Sequence, residues 1–214
     1  RPAPYGSISE WIKINPMQTG FYRVRYPDDE LALLRAPIEN RVLPPSDRLG
    51  LQNDAFALTR AGHIPATEYL SIAQAYTNET DASVCADLVA NLGNVDTLLW
   101  DESFYPVFQA FVRDIFRPIG KRIGWEPRRN EGHLDALLRN TVLRQLGESG
   151  DEDTLIEAAA RFTEYARDPS AVPADIRGMV SSLAALTGGR STYDRMWELR
   201  DDASLQEEKG RLLI

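Results

Sequence analysis

The first 26 residues and the remainder of the chain carry different hydrophobic periods. Trp11-Ile12-Lys13-Ile14 alternates apolar and polar positions once Glu10 is included, and Phe21-Tyr22-Arg23-Val24-Arg25-Tyr26 alternates as well. Between them, Asn15-Pro16-Met17-Gln18-Thr19-Gly20 is rich in turn formers. A period of two on either side of a turn predicts two short strands joined as a β-hairpin over residues 10–26. A lone strand pair is marginal in water, so it must pack on the helical body that follows or on a sheet outside this chain.

From Asp28 onward the period is helical. Residues 28–38 form a first short candidate. Pro44-Pro45 breaks the chain, Ser46 is placed to cap the next helix with Asp47 in its first turn, and Leu51, Ala55 and Leu58 run down one face to a capping Gly62. Pro65 suits a first helical position, and Tyr69, Ile72, Ala73 and Tyr76 follow at i, i+3, i+4 and i+7. Asp81 can cap a helix whose stripe is Val84, Cys85, Leu88, Val89 and Leu92, ending at Gly93. The longest helix is predicted over 103–123, with Phe104, Phe108, Phe111, Ile115 and Ile119 in step and a kink or break at Pro118. After Gly124-Trp125 and a charged loop, further helices end at Gly147, at Asp168-Pro169 and at Gly188-Gly189. Tyr193, Met196, Trp197 and Arg200 begin another, and residues 205–214 form a last one without a cap. Short connections favour antiparallel neighbours, which predicts a HEAT-like or armadillo-like superhelix of helix pairs, with a compact irregular bundle as the alternative.

Composition narrows the function classes. With 24 Lys and Arg against 32 Asp and Glu, the net charge is −8. Nucleic-acid binding and adsorption to anionic membranes both rest on clustered positive charge, so neither fits. No apolar run approaches the roughly 20 residues of a membrane helix. The chain starts at Arg1 with neither an initiator Met nor the apolar core of a signal peptide, which reads as a processed product or an excised piece. One cysteine, Cys85, cannot form an internal disulfide; this favours a reducing compartment such as the cytoplasm without fixing the location.

The candidate chemistry is sparse. His63 and His133 are the two histidines, and neither has the second His at i+4 with an adjacent Glu that holds a peptidase zinc. His63 follows a helix-ending Gly and reads as a turn residue; His133 opens a helix and reads as solvated or capping. Cys85 lies in an apolar stripe and reads as a buried inert thiol. Gly188-Gly189-Arg190-Ser191-Thr192 precedes a helix but lacks the lysine and spacing of a phosphate loop, so it reads as a helix–helix turn. Asp151, Glu152 and Asp153 open a helix, where the dipole favours negative charge. Arg128-Arg129 is a small solvated basic patch. No catalytic or metal-binding residue emerges, and the substrate-binding residues stay open.

Two segments resemble a known family. Trp11-Ile12-Lys13-Ile14-Asn15 followed by Gln18-Thr19-Gly20-Phe21-Tyr22-Arg23-Val24-Arg25-Tyr26 is similar to a hallmark segment of the zinc aminopeptidases related to puromycin-sensitive aminopeptidase, aminopeptidase N and the endoplasmic reticulum aminopeptidases. The stretch from Asp47-Arg48-Leu49-Gly50-Leu51 through Asp54, Phe56, Leu58 and Ala61-Gly62 is similar to a second block of that family, with further echoes at Gly124-Trp125, Leu138-Arg139, Phe162 and Pro173-Ala174-Asp175-Ile176-Arg177. The resemblance runs from Trp11 to the end.

It implies that residues 1–27 close a β-sandwich domain and that residues 28–214 begin a superhelical domain truncated at its C-terminus. It also implies a non-catalytic, substrate-capping role in a zinc-dependent aminopeptidase whose zinc lies in an upstream catalytic domain. The implied partners are the peptide substrate and that catalytic domain, with no nucleic acid. Arg139, Arg144 and Arg177 are then candidates for drawing in a substrate carboxylate, while Arg48 and Arg139, within the shared motifs, equally fit structural ion pairs. Truncation would bare apolar faces around Trp11, Phe21 and Tyr22 and around Leu205, Leu212 and Leu213, favouring artefactual self-association. The other reading is a free-standing helical adaptor that binds a protein on its concave face.

Overall fold

The computed structural model describes residues 11–204 and 206–212. These residues are mainly helical, as the periodicity predicts, and they fall into two compact units, one ending at Val95 and the other starting at Asp96. Among the described residues there is no β-strand.

In the first unit, residues 11–27 run over the helices as irregular chain with one 3-10 turn, Pro16–Gln18, so the predicted β-hairpin does not form. Among the described residues, which exclude Glu10, no strand lies alongside to complete a ladder; the side chains of Tyr26 and of the following helices satisfy the segment instead. The Ile14 amide donates to the Tyr26 hydroxyl at 2.9 Å, Met17 N donates to Asp47 Oδ1 at 2.6 Å, and Val24 N donates to Asp54 Oδ2 at 3.1 Å.

The helical stretch predicted over 28–38 divides into α1 (Asp28–Leu33) and α2 (Arg35–Glu39). Pro37 cannot supply the amide that would bond the carbonyl four residues earlier, which ends the first helix at Leu33. The third helix, α3 (Pro45–Arg60), starts one residue before the predicted cap Ser46, because Pro45 lacks only a donor that the first turn does not need. This helix is enclosed on several sides. Asp47, Gly50 and Asp54 form the stripe beneath residues 11–26, and a Cβ at Gly50 would stand 1.7 Å from the Gln18 side chain. Leu51, Ala55 and Phe56 are buried as well.

Helix α4 (Ala66–Ala73) continues as a 3-10 turn, Gln74–Asn78, and buries Tyr69, Ile72, Ala73 and Tyr76 as predicted. Asp81 caps α5 (Ala82–Leu99), its Oδ1 accepting from Ser83 N and Val84 N. The helix runs past its predicted end at Gly93. A terminating glycine works by adopting positive φ, and Gly62, Gly124 and Gly150 do so while Gly93 does not.

The second unit holds α6 (Tyr105–Ile123), α7 (His133–Glu148), α8 (Glu152–Arg167), α9 (Arg177–Thr187), α10 (Arg190–Asp202) and α11 (Gln206–Arg211). No break interrupts α6 at Pro118. Pro118 and Asp114 are both exposed, so water can reach the carbonyl that the proline leaves without a donor. The predicted last helix, over 205–214, is present as α11; Leu205, Leu213 and Ile214 lie outside the described residues.

Helix α9 is the centre of this unit, with Met179, Val180, Leu183 and Ala184 buried against α8 and α7. Gly147, predicted to close α7, lies inside it, and the turn comes at Gly150 with φ 75°. A Cβ at Gly147 would meet the Leu183 side chain at 2.5 Å, so glycine lets α7 and α9 approach closely.

Two glycine substitutions should therefore act in opposite directions. Gly147→Ala should lower stability by about 1–2 kcal/mol, overpacking outweighing the gain in helix propensity. Gly93→Ala, where no atom stands within 4 Å of the added Cβ, should raise it by about 0.5–1 kcal/mol. Urea denaturation of the two variants checks both signs.

Candidate functional site

Each of the four arginines singled out by the sequence is committed to a different local partner. Arg48 is sealed within the first unit. Its Nε and Nη2 donate to the two carboxylate oxygens of Glu79 at 2.6 and 2.7 Å, and its Nη1 donates to the Leu43 carbonyl. The buried Tyr76 hydroxyl donates to the Arg48 carbonyl at 2.6 Å. Glu79 also accepts from the amides of Thr80 and Asp81. Burial opposes its ionisation, but the hydrogen bonds from Arg48 and those two amides prevail and hold its carboxyl below the usual range. Arg48 is thus a structural residue.

Arg139 is 1% exposed and fastens the loop before its own helix. Its Nε donates to the Gly124 carbonyl, while Nη2 donates to the Glu126 carbonyl and to the Glu131 carboxylate. The planar guanidinium suits this task because its fixed fork reaches several acceptors at once. Arg144 and Arg177 remain half-buried. Arg144 reaches Ser182 Oγ at 3.4 Å and Glu148 at 3.8 Å. Arg177 Nε donates to the Val172 carbonyl at 2.9 Å, and its guanidinium lies 5.9 Å from the Tyr165 ring centre. Of the four, these two keep solvent-facing surface.

The remaining sequence candidates sit apart from one another. His63 and His133 are exposed, and Cys85 is buried as predicted. Among the described residues, no group of three or more His, Cys, Asp or Glu side chains could hold a metal ion. Gly188-Gly189 forms the turn between α9 and α10, the expected role. Asp151 caps α8, its Oδ1 accepting from Thr154 N at 3.1 Å, and its Oδ2 accepts from Arg117 Nε at 2.6 Å. Burial raises the cost of the Asp151 charge, yet Arg117 and Thr154 outweigh it and keep the carboxyl below its ordinary value.

Sequence reasoning passed over the surroundings of that cap. A groove of about 390 Å³ lies between α6, α7 and α8, with Gly120, Leu143 and Leu146 as its floor and Trp125 at its side. The available signal was the basic spacing Arg113, Arg117, Lys121 along α6, one residue per turn on one face. Arg113 and Arg117 use it to hold the α7–α8 turn, Arg113 Nη1 donating to the Ser149 carbonyl at 2.6 Å.

Comparison with known proteins places this architecture. The family model described as the ERAP1-like C-terminal domain matches residues 11–214. Aminopeptidase M1-A of Oryza sativa subsp. japonica is 35% identical over 216 residues, covering 95% of this chain and 24% of the relative. Aminopeptidase M1 of Arabidopsis thaliana is 34% identical, with 95% and 24% covered. The puromycin-sensitive aminopeptidase of Caenorhabditis elegans is 26% identical, with 96% and 22% covered. The chain therefore spans about a quarter of the length of the curated relatives it matches.

The Arg48–Glu79 pair yields a pH-resolved prediction. Glu79→Gln should cost about 3–5 kcal/mol near neutral pH, the range for breaking a buried pair. A carboxyl held low in the folded state contributes stability above its unfolded pKa of about 4.3 and loses it as pH falls through the folded value. The difference between wild type and variant should accordingly shrink in acid. Denaturant titrations at stepped pH measure it, and a difference independent of pH would contradict the assignment.

Proposed function

The chain belongs to the ERAP1-like C-terminal domain family, and from that premise we propose that it is the non-catalytic, substrate-capping domain of a zinc-dependent aminopeptidase. In this reading the parent enzyme removes N-terminal residues from peptides, and its zinc and general base lie in a catalytic domain outside this chain. The helices stack as antiparallel pairs into a HEAT-like or armadillo-like superhelix that covers the catalytic cleft. In this reading Arg144 and Arg177, which keep solvent-facing surface beside their local partners, are the arginines a peptide would meet; Arg48 and Arg139 serve the scaffold.

One observation carries the reading. Residues 11–22 are pinned to α3 by polar contacts on one side and bare on the other, with Trp11, Ile12, Ile14 and Tyr22 exposed and Phe21 fully so. A run of large apolar side chains held against water marks an interaction surface. The occupant in this reading is the preceding domain of the same enzyme, whose sheet would give this segment the ladder it lacks here.

Two measurements test the proposal. The isolated chain should show no turnover of aminoacyl chromogenic substrates and no copurifying zinc, whereas the full-length parent should show both; turnover by the chain alone would refute the capping role. Phe21→Ser should leave the isolated chain within about 0.5 kcal/mol of wild type, as for an ordinary surface change. In the full-length enzyme the same substitution should lower the melting temperature and weaken discrimination among peptides of different length.

A further inference from the structure

The groove between α6, α7 and α8 carries more charge than the scaffold uses. Four ionised side chains line it: Arg117, Lys121, Asp151 and Asp153. Arg117 and Asp151 satisfy each other at 2.6 Å. Lys121 and Asp153 remain, both exposed, and among the described residues no ion pair joins either of them to a partner or to one another. One positive and one negative group thus stand over an apolar floor of Gly120, Leu143 and Leu146.

The floor and side wall are firmly built. A Cβ at residue 120 would lie 2.7 Å from Leu146 Cδ1, so glycine is what keeps the floor low. The Trp125 ring is backed by the Arg161 guanidinium 5.1 Å from its centre, and Arg161 is itself held by Glu126 at 2.7 Å and Glu157 at 2.8 Å. The volume of about 390 Å³ falls in the range of about 300–1,000 Å³ common for small-molecule sites.

The charges select the ligand. A simple anion would face Asp151 and Asp153, and a simple cation would face Arg117 and Lys121; like charges set against a ligand are the usual means of rejecting it. A molecule with one charge of each sign and an apolar side chain answers all the walls. We propose that this groove binds an apolar amino acid or very short peptide as a zwitterion, its carboxylate toward Lys121, its ammonium toward Asp153, and its side chain against Trp125 and Leu143. The inference rests on the groove's own chemistry and stands or falls separately from the capping role.

Calorimetric titration of the chain with leucine, leucyl-leucine, N-acetylleucine and leucinamide tests it, with the Trp125 indole N–H resonance followed in parallel. One of the two zwitterions should bind saturably at one site and shift that resonance; whichever binds more tightly identifies the free amino acid or the peptide as the ligand. Removing one ligand charge, in N-acetylleucine or leucinamide, should weaken binding roughly tenfold. Lys121→Gln and Asp153→Asn should each do the same while leaving the circular dichroism and melting of the chain unchanged, since both side chains are exposed. N-acetylleucine should be insensitive to Asp153→Asn, and leucinamide to Lys121→Gln. No saturable binding of either zwitterion, equal binding of the blocked compounds, or indifference to both substitutions would overturn the assignment.

Discussion

A charge removed from water must be answered on every side by the protein, and the fold is organised around places where that happens. Arg48 is the clearest. Its guanidinium meets both oxygens of Glu79 and the Leu43 carbonyl, so three stretches of chain are fixed by one side chain: the end of the connection after α2, the first turn of α3, and the segment entering α5. Tyr76 adds a fourth by donating to the Arg48 carbonyl. Desolvating this pair is expensive, and its gain lies in geometry, because few alternative packings would satisfy so many fixed donors and acceptors. Arg139 repeats the device in the second unit, gathering the carbonyls of Gly124 and Glu126 and the Glu131 carboxylate.

The same economy explains how an irregular segment stays ordered on a helical surface. Residues 11–27 have no ladder, yet Asp47 and Asp54 of α3 supply acceptors for the amides of Met17 and Val24. The turn tightens further through Asn15, whose side chain both accepts from Gly20 N and donates to the Gly20 carbonyl. Asn15, Met17 and Gln18 all adopt positive φ, between 54° and 56°, an uncommon conformation for residues with a Cβ. Gly50 makes room for the result by letting Gln18 lie directly across α3. Polar contacts thus bind one side of the segment and leave its large apolar side chains facing outward.

These arrangements redirect the functional reading of the arginines. A guanidinium buried and held by several acceptors inside the fold is out of a ligand's reach, so Arg48 and Arg139 belong to the framework. Arg144, Arg177, Lys121 and Asp153, by contrast, keep both charge and surface.

Much of the helical design was legible in the sequence. The stripe Tyr69, Ile72, Ala73, Tyr76 is buried as its spacing required, the stripe Val84, Cys85, Leu88, Val89, Leu92 is buried except at the half-exposed Val89, and Gly62, Gly124, Asp81 and Asp151 act at helix ends as their chemistry suggested. Such features depend on interactions within a few residues, which local order reveals. The misread points that shape the packing turn on distant partners. Gly93 and Gly147 resemble stop signals, but a glycine ends a helix only where positive φ is worth adopting, and at Gly147 the approach of Leu183 gives the missing side chain a different use. The alternation of residues 10–26 has the period of strands, yet a strand exists only with a neighbour to pair with. The sequence by itself therefore determined the helices, several of their buried faces and several of their caps, because these arise from short-range periodicity and capping chemistry. Only the tertiary structure decided which arginines are sealed, which glycines are contacts, and where unpaired charge meets an apolar groove, because those outcomes depend on groups brought together from far apart in the chain.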